Sequence, residues 1–143
     1  MATFNKFNIF VENLAKKVHN LGTSADQLKV ALTNTAPVAT NAVYGDLTSP
    51  LGTTNLSGAN PFNLTISASA QSSGLYTLKI TDLVLTATGS VGPFRYIALY
   101  NDTPTSPADP LIGWYDYGSS ISLANGETFT IDFDDTNGVL TLQ

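Results

Sequence analysis

The chain holds one histidine, His19, and no cysteine. Nucleophilic catalysis through a Ser–His or Cys–His pair needs an imidazole base, so any such triad here has to be built on His19. His19 follows Lys16, Lys17 and Val18 at the end of a helical pattern, where an imidazole is expected at the surface beside the helix C-terminal dipole. The missing cysteines exclude disulfides and thiolate metal sites. No G-x-S-x-G, Walker A or G-x-G-x-x-G pattern occurs, and no catalytic, cofactor-binding or metal-binding residue is assigned.

Hydrolysis by paired carboxylates needs only two acids. Asp116 sits among aromatics in Trp114-Tyr115-Asp116-Tyr117, and Glu127, Asp132, Asp134 and Asp135 gather near the end of the chain. Strand alternation puts Asp132 and Asp134 opposite Phe129, Ile131 and Phe133, on a solvated face. Asp132 to Gly138 is a poor calcium loop: Thr136 and Asn137 stand at its fifth and sixth positions, where a stronger oxygen ligand and a glycine belong, and no glutamate stands at the twelfth. Phe94, Tyr96, Tyr100, Trp114, Tyr115 and Tyr117 fall within 24 residues. Most are expected in the core, with Tyr115 and Tyr117 the exposed members. A platform of Trp114, Tyr115 and Tyr117 beside Asp116 is the carbohydrate-binding alternative.

Only 12% of the 143 residues are charged, so Thr, Ser and Asn must supply most of the surface polarity. Such a surface suits packing against other proteins. The net charge of −5 argues against a nucleic-acid partner, which requires clustered Lys and Arg. The charge is lopsided: residues 1–30 carry Lys6, Lys16, Lys17 and Lys29 against Glu12 and Asp26, and the remainder carries Lys79 and Arg95 against nine acids. A basic start and an acidic body can steer a partner or a second copy. No apolar run approaches the roughly 18 residues of a membrane span. The opening MATFNKFNIF lacks the basic and apolar regions of a signal peptide, so none is expected.

These residues must be positioned by a chain whose periodicity changes once. Phe4, Phe7, Val11, Leu14, Val18 and Leu21 recur at steps of three and four, predicting a helix over residues 4–21, capped by Thr3 and stopped at Gly22. Its apolar face packs either on the body of the same chain or on a neighbouring subunit. Residues 28–34 alternate as a strand. Residues 35–61 hold Pro37, Pro50, Pro61 and three glycines without periodicity, predicting an extended arm or loop. Strands are then predicted over 62–70 and 75–88, the latter bent by a parity flip near Thr81–Asp82, and over 94–100 and 111–117. Residues 120–124 are expected to pair across Asn125-Gly126 with 128–134, before a last strand over 139–142. The expected architecture is one domain over residues 1–143. It is an antiparallel β-sandwich, jelly-roll or immunoglobulin-like, with one N-terminal α-helix over 1–22, the arm at 35–61 and the sandwich core at 62–143.

Four stretches resemble one group of proteins: FNKFNIFVENLAKKVHNLG, DQLKVALTNTAPVATNAV, PFRYIALYNDTP and LIGWYDYGSSISLANGETFTIDF. Together they cover most of the chain and resemble small structural proteins encoded by tailed bacteriophages. The resemblance implies a virion protein and brings no catalytic residues. Size, arm and helix favour a capsid decoration (cement) protein that binds the major capsid protein of the head shell as a homo-oligomer, a trimer by preference. The alternatives are a tail-tube or minor tail protein, a fibre component, or a carbohydrate-binding adhesin domain. No cofactor and no membrane partner is expected. The candidate partner-binding residues are Phe4, Phe7, Val11, Leu14, Lys16 and Lys17 on the helix, Pro50 and Leu51 on the arm, and Tyr115 and Tyr117.

Overall fold

Two-residue alternation dominates the chain after Gly22, and the protein is mainly β. The computed structural model describes residues 2–143. Along the chain run β1 (Asn5–Lys6), α1 (Asn8–Ala15), β2 (Leu28–Thr33), a single 3-10 turn at Tyr44–Asp46, β3 (Ile66–Ser72) and β4 (Leu75–Ile80). β5 (Leu83–Thr86), β6 (Val91–Asn101), β7 (Leu111–Leu123), β8 (Thr128–Ile131) and β9 (Leu140–Leu142) follow. All strand pairs are antiparallel. One sheet has the order β1-β7-β6-β2, and two smaller sheets are β3-β4-β9 and β5-β8.

The arrangement is sandwich-like because the four-stranded sheet gives one face to both smaller sheets. Val30, Leu32, Ile97 and Leu99 meet Ile66, Leu78, Ile80, Leu85, Ile131 and Leu140 in one buried cluster. The other face is covered too. Ala31, Ala98, Tyr100 and Leu111 pack with Phe7 and Leu47, with Ile9, Tyr44 and Trp114 at the margin. This second cover explains why FRYIALY, in the middle of central strand β6, is apolar at both parities.

Local chemistry accounts for most breaks. Ser73 and Gly74, both at positive φ, form the two-residue turn between β3 and β4. The parity flip at Thr81–Asp82 is a full break rather than a bulge, and it passes the chain from β4 in one sheet to β5 in the next. Asp82 closes the gap, its carboxylate accepting the Phe133 N–H at 2.8 Å. The expected hairpin across Asn125-Gly126 does not form as a ladder. Residues 120–123 belong to β7, which pairs with β6, whereas β8 pairs with β5. The tight turn therefore carries the chain from one layer to the other.

The helix is shorter than its spacing predicts. Phe4 precedes a two-residue strand: Asn5 and Lys6 pair with Trp114 and Gly113, the Phe7 N–H reaches the Ile112 carbonyl (3.1 Å), and the Asn8 N–H reaches Ala39 (2.9 Å). The helix can start only after these bonds. It ends at Lys17, whose φ of 66° puts it in the left-handed region. The Val18 N–H then bonds the Asn13 carbonyl and the Lys17 N–H the Leu14 carbonyl, the Schellman pattern. The stop predicted at Gly22 is thus made at Lys17, and residues 18–27 are irregular. Phe10 and Asn13 face inward while Val11 is 48% exposed, so the true buried stripe is shifted from the predicted one.

Residues 35–61 form a loop, not a projecting arm. Backbone bonds of 2.8–2.9 Å join Ala42 to Leu111, Tyr44 to Asp109, Leu51 to Leu32 and Ser57 to Thr86. Leu47 and Leu56 within it are buried.

Candidate functional site

β7 is the longest strand, and β1 covers only its Gly113 and Trp114 on the outer side. A register shift places Ile112 as the extra residue between Leu111 and Gly113, which sit opposite Tyr100 and Leu99. From there alternation puts Trp114 on the outer face, where its ring meets Phe7 at 4.5 Å, and Tyr115 and Tyr117 on the inner face. The suggested platform of Trp114, Tyr115 and Tyr117 is therefore not formed, because Trp114 points to the opposite side of the sheet. What Tyr115 and Tyr117 do form is one wall of a cleft of about 380 Å³, lined also by Ala2, Ile97, Phe129, Thr130, Ile131 and Asp132. It opens on the flank where β7 and β8 part.

The cleft rings are held from behind. Tyr115 lies 5.3 Å from Phe4 and 6.2 Å from Phe133, and Tyr117 meets Phe129 edge-on at 5.5 Å. Burial, with a smaller contribution from the charge of Asp134, pushes the Tyr115 hydroxyl up to about 12, so it stays a neutral phenol. Beyond Tyr117 the strand bulges: Tyr96 opposes Asp116 but Phe94 opposes Ile121, leaving residues 117–120 to protrude with Gly118 at φ 97°. Asp116 fixes the base of this bulge. It accepts both Nε (2.7 Å) and a terminal nitrogen (2.9 Å) of Arg95 and the Gly118 N–H (2.8 Å). The Arg95 bonds, followed by that of Gly118, hold its carboxyl below the ordinary range.

Two of the other acids flagged in the sequence, Asp134 and Glu127, are similarly engaged, while Asp132 is exposed. Asp134 accepts the N–H groups of Thr136 and Asn137 and the Asn137 side-chain amide, and these bonds hold its pKa down. Glu127 accepts the Ala124 N–H. No cluster of three metal-ligating side chains occurs among the described residues.

His19 is not at the surface. It is 6% exposed, its ring 5.3 Å from Phe10. Asn101, fully buried at the end of β6, joins it to Asp26: one Asn101 amide nitrogen lies 3.1 Å from His19 Nδ1 and 2.7 Å from Asp26 Oδ2. Asn101 Oδ1 accepts the Thr103 N–H, which fixes the orientation of the amide. His19 Nδ1 must then accept, and the ring proton sits on Nε2. Burial lowers the His19 pKa to about 4, against an opposing pull from Asp26. A folded pKa below the unfolded value near 6.5 means stability that is complete above that pH and lost as pH falls toward 4. Between about pH 7 and pH 4.5 the loss is expected to be roughly 2–3 kcal/mol. The lowered carboxyls of Asp116 and Asp134 yield only below the unfolded carboxyl pKa, roughly 4. Urea denaturation of wild type and His19→Gln at both pH values checks this. The variant should lose the dependence, and equal slopes for the two proteins would contradict it.

The remaining partner-binding candidates are scattered. Phe4 supports the cleft through Tyr115, but Phe7 is wholly buried and presents nothing to a partner. Val11, Lys16 and Lys17 are exposed along α1 and its end, with Lys16 paired to Glu12, and Leu14 is half-buried. Pro50 and Leu51 are half-buried in the tied-down loop. Gly113, a position the sequence does not flag, proves decisive: the Phe4 ring and the Asn5 carbonyl occupy the space a Cβ would need. Comparisons with protein families, with curated proteins and with solved structures return no match.

Proposed function

We propose that the protein is a non-enzymatic structural component of a tailed-bacteriophage virion, a capsid decoration protein that binds the assembled head shell as a homo-oligomer. The observation that carries this reading is the engagement of its acid–base groups. His19 is buried as the neutral imidazole, Asp116 is held by Arg95, and Asp134 and Glu127 close turns. Function on this reading comes from surfaces. The sparse charge, the sheet covered on both faces and the tied-down 35–61 loop suit a stiff body that docks without rearranging. Because that loop is not an arm, the docking role falls to α1, where Val11 is exposed beside Lys16 and Lys17.

The mechanism is mass action. A protein that binds only the expanded shell stabilises it by about 2.7 kcal/mol per site when present at a hundredfold its Kd, and many copies act together. The double variant Val11→Asp, Lys17→Glu changes only exposed side chains. It is expected to keep the wild-type melting temperature within about 2 °C and to bind expanded shells at least tenfold more weakly, given the roughly 1–3 kcal/mol typical of an interface contact. Unchanged binding by a folded double variant would remove α1 from the interface.

A further inference from the structure

The cleft between β7 and β8 carries an unbalanced charge. Its rings are Tyr115, Tyr117 and Phe129, and among the described residues Asp132 is its one charged lining residue. Asp132 is exposed and takes no part in the ion pairs among the described residues, Lys16–Glu12, Lys29–Asp102 and Arg95–Asp116. Aromatic faces are electron-rich over their centres, so a ring face met by a bound group carries the same sign as the carboxylate. The surroundings reinforce that sign, since residues 31–143 carry nine acids against two bases.

The geometry separates a cation from a sugar. A pyranose wants a flat aromatic platform, but Tyr117 and Phe129 stand at 72° to each other and make a corner. Tyr115 and Tyr117 are two apart on one strand face, a spacing of about 6.6 Å along the chain. A compact group between them has both rings within the roughly 6 Å reach of a cation–π contact. The volume of about 380 Å³ is at the small end for ligand sites and suits a headgroup rather than an oligosaccharide.

We propose that this cleft binds an organic ammonium group, with Tyr115, Tyr117 and Phe129 surrounding the cation and Asp132 balancing its charge. The chemistry is shared by a quaternary ammonium headgroup and by a lysine side chain. The site is independent of the virion reading and stands or falls on its own ligand.

The test is an NMR titration of the full chain with choline, with 3,3-dimethylbutanol as the neutral isostere of choline, with Nα-acetyl-lysine amide, whose side-chain ammonium is free, and with methyl glucoside. Saturable shifts confined to cleft residues are expected with choline or the lysine amide, and the tighter of the two identifies the source. Dimethylbutanol should bind about tenfold more weakly than choline, the factor that corresponds to a desolvated cation–π contact. Asp132→Asn and Tyr117→Ala, both at exposed positions, should each weaken cation binding about three- to tenfold while leaving the spectrum folded. Equal affinity for choline and its isostere, tighter binding of the glucoside, indifference to Asp132→Asn, or no saturable shift with either cation would overturn the proposal.

Discussion

Asn101→Ala is expected to destabilise the protein by about 3 kcal/mol, from one buried partner left unsatisfied at roughly 1–3 kcal/mol and two part-buried hydrogen bonds lost at roughly 0.5–1.5 kcal/mol each. Asn101 is fully buried, and its amide serves three elements at once. It holds His19 and Asp26 on the segment after α1, and it accepts the Thr103 N–H from the loop before β7. Asp26 in turn accepts the Asn20 N–H at 2.8 Å, and the Asp102 N–H donates to the Gln27 carbonyl at 2.9 Å. Truncation leaves the buried His19 Nδ1 without its partner and releases the part-buried bonds to Asp26 and the Thr103 N–H. Chemical denaturation of Asn101→Ala, His19→Ala and the double variant measures the coupling. A double variant much less destabilised than the sum of the single variants is expected, because the pair shares one contact. Strict additivity would mean that the hub is not one unit.

Gly113→Ala should destabilise by about 1–3 kcal/mol, although alanine is the better strand residue. The intrinsic gain of replacing glycine is roughly 0.5–1 kcal/mol. Against it stands a Cβ placed into the Phe4 ring and 2.7 Å from the Asn5 carbonyl oxygen, so overpacking wins. The displaced element is β1, which pairs at Gly113 and Trp114. Faster proteolysis ahead of Phe7 is therefore expected along with the lower denaturation midpoint. Phe4→Ala in the same chain relieves the ring clash but not the backbone contact, so it should recover part of the loss. A Gly113→Ala protein as stable as wild type, with an equally protected N-terminus, would contradict the packing described here.

The β elements were legible because alternation reports burial directly. The strand expected over 28–34 appears as β2, the bent one expected over 75–88 as β4 and β5, and the doubly apolar FRYIALY lies within β6. What failed depended on long-range partners. Phe4, Phe7, Val11 and Leu14 have helical spacing, yet backbone bonds from Phe7 to Ile112 and from Asn8 to Ala39 claim the first residues for a strand edge. Asn125-Gly126 correctly marked a tight turn, but a turn signal does not say whether the strands it joins pair with each other or with different sheets. Residues 35–61 read equally as an arm or a loop, because the packing that makes them a loop rests on isolated backbone bonds and a few buried side chains, which leave no periodic trace.

The site was readable in part. Of the two aromatics expected to be exposed, Tyr117 is more than half exposed and Tyr115 is half-buried against the core, and alternation alone already separates both from Trp114. His19 was misplaced because its burial comes from Asn101, 82 residues away, and no local pattern encodes that contact. Gly113 carries no signal beyond being a glycine in an otherwise apolar strand, a mark of close backbone approach that only the neighbouring Phe4 makes specific.

The central claim is that this chain is a shell-binding structural protein, and sedimentation of the purified protein, alone and with empty capsids, tests it most directly. The expected result is a stable homo-oligomer, a trimer by preference, that co-sediments with expanded shells and not with unexpanded ones. A monomer, or an assembly indifferent to both shells, would contradict it.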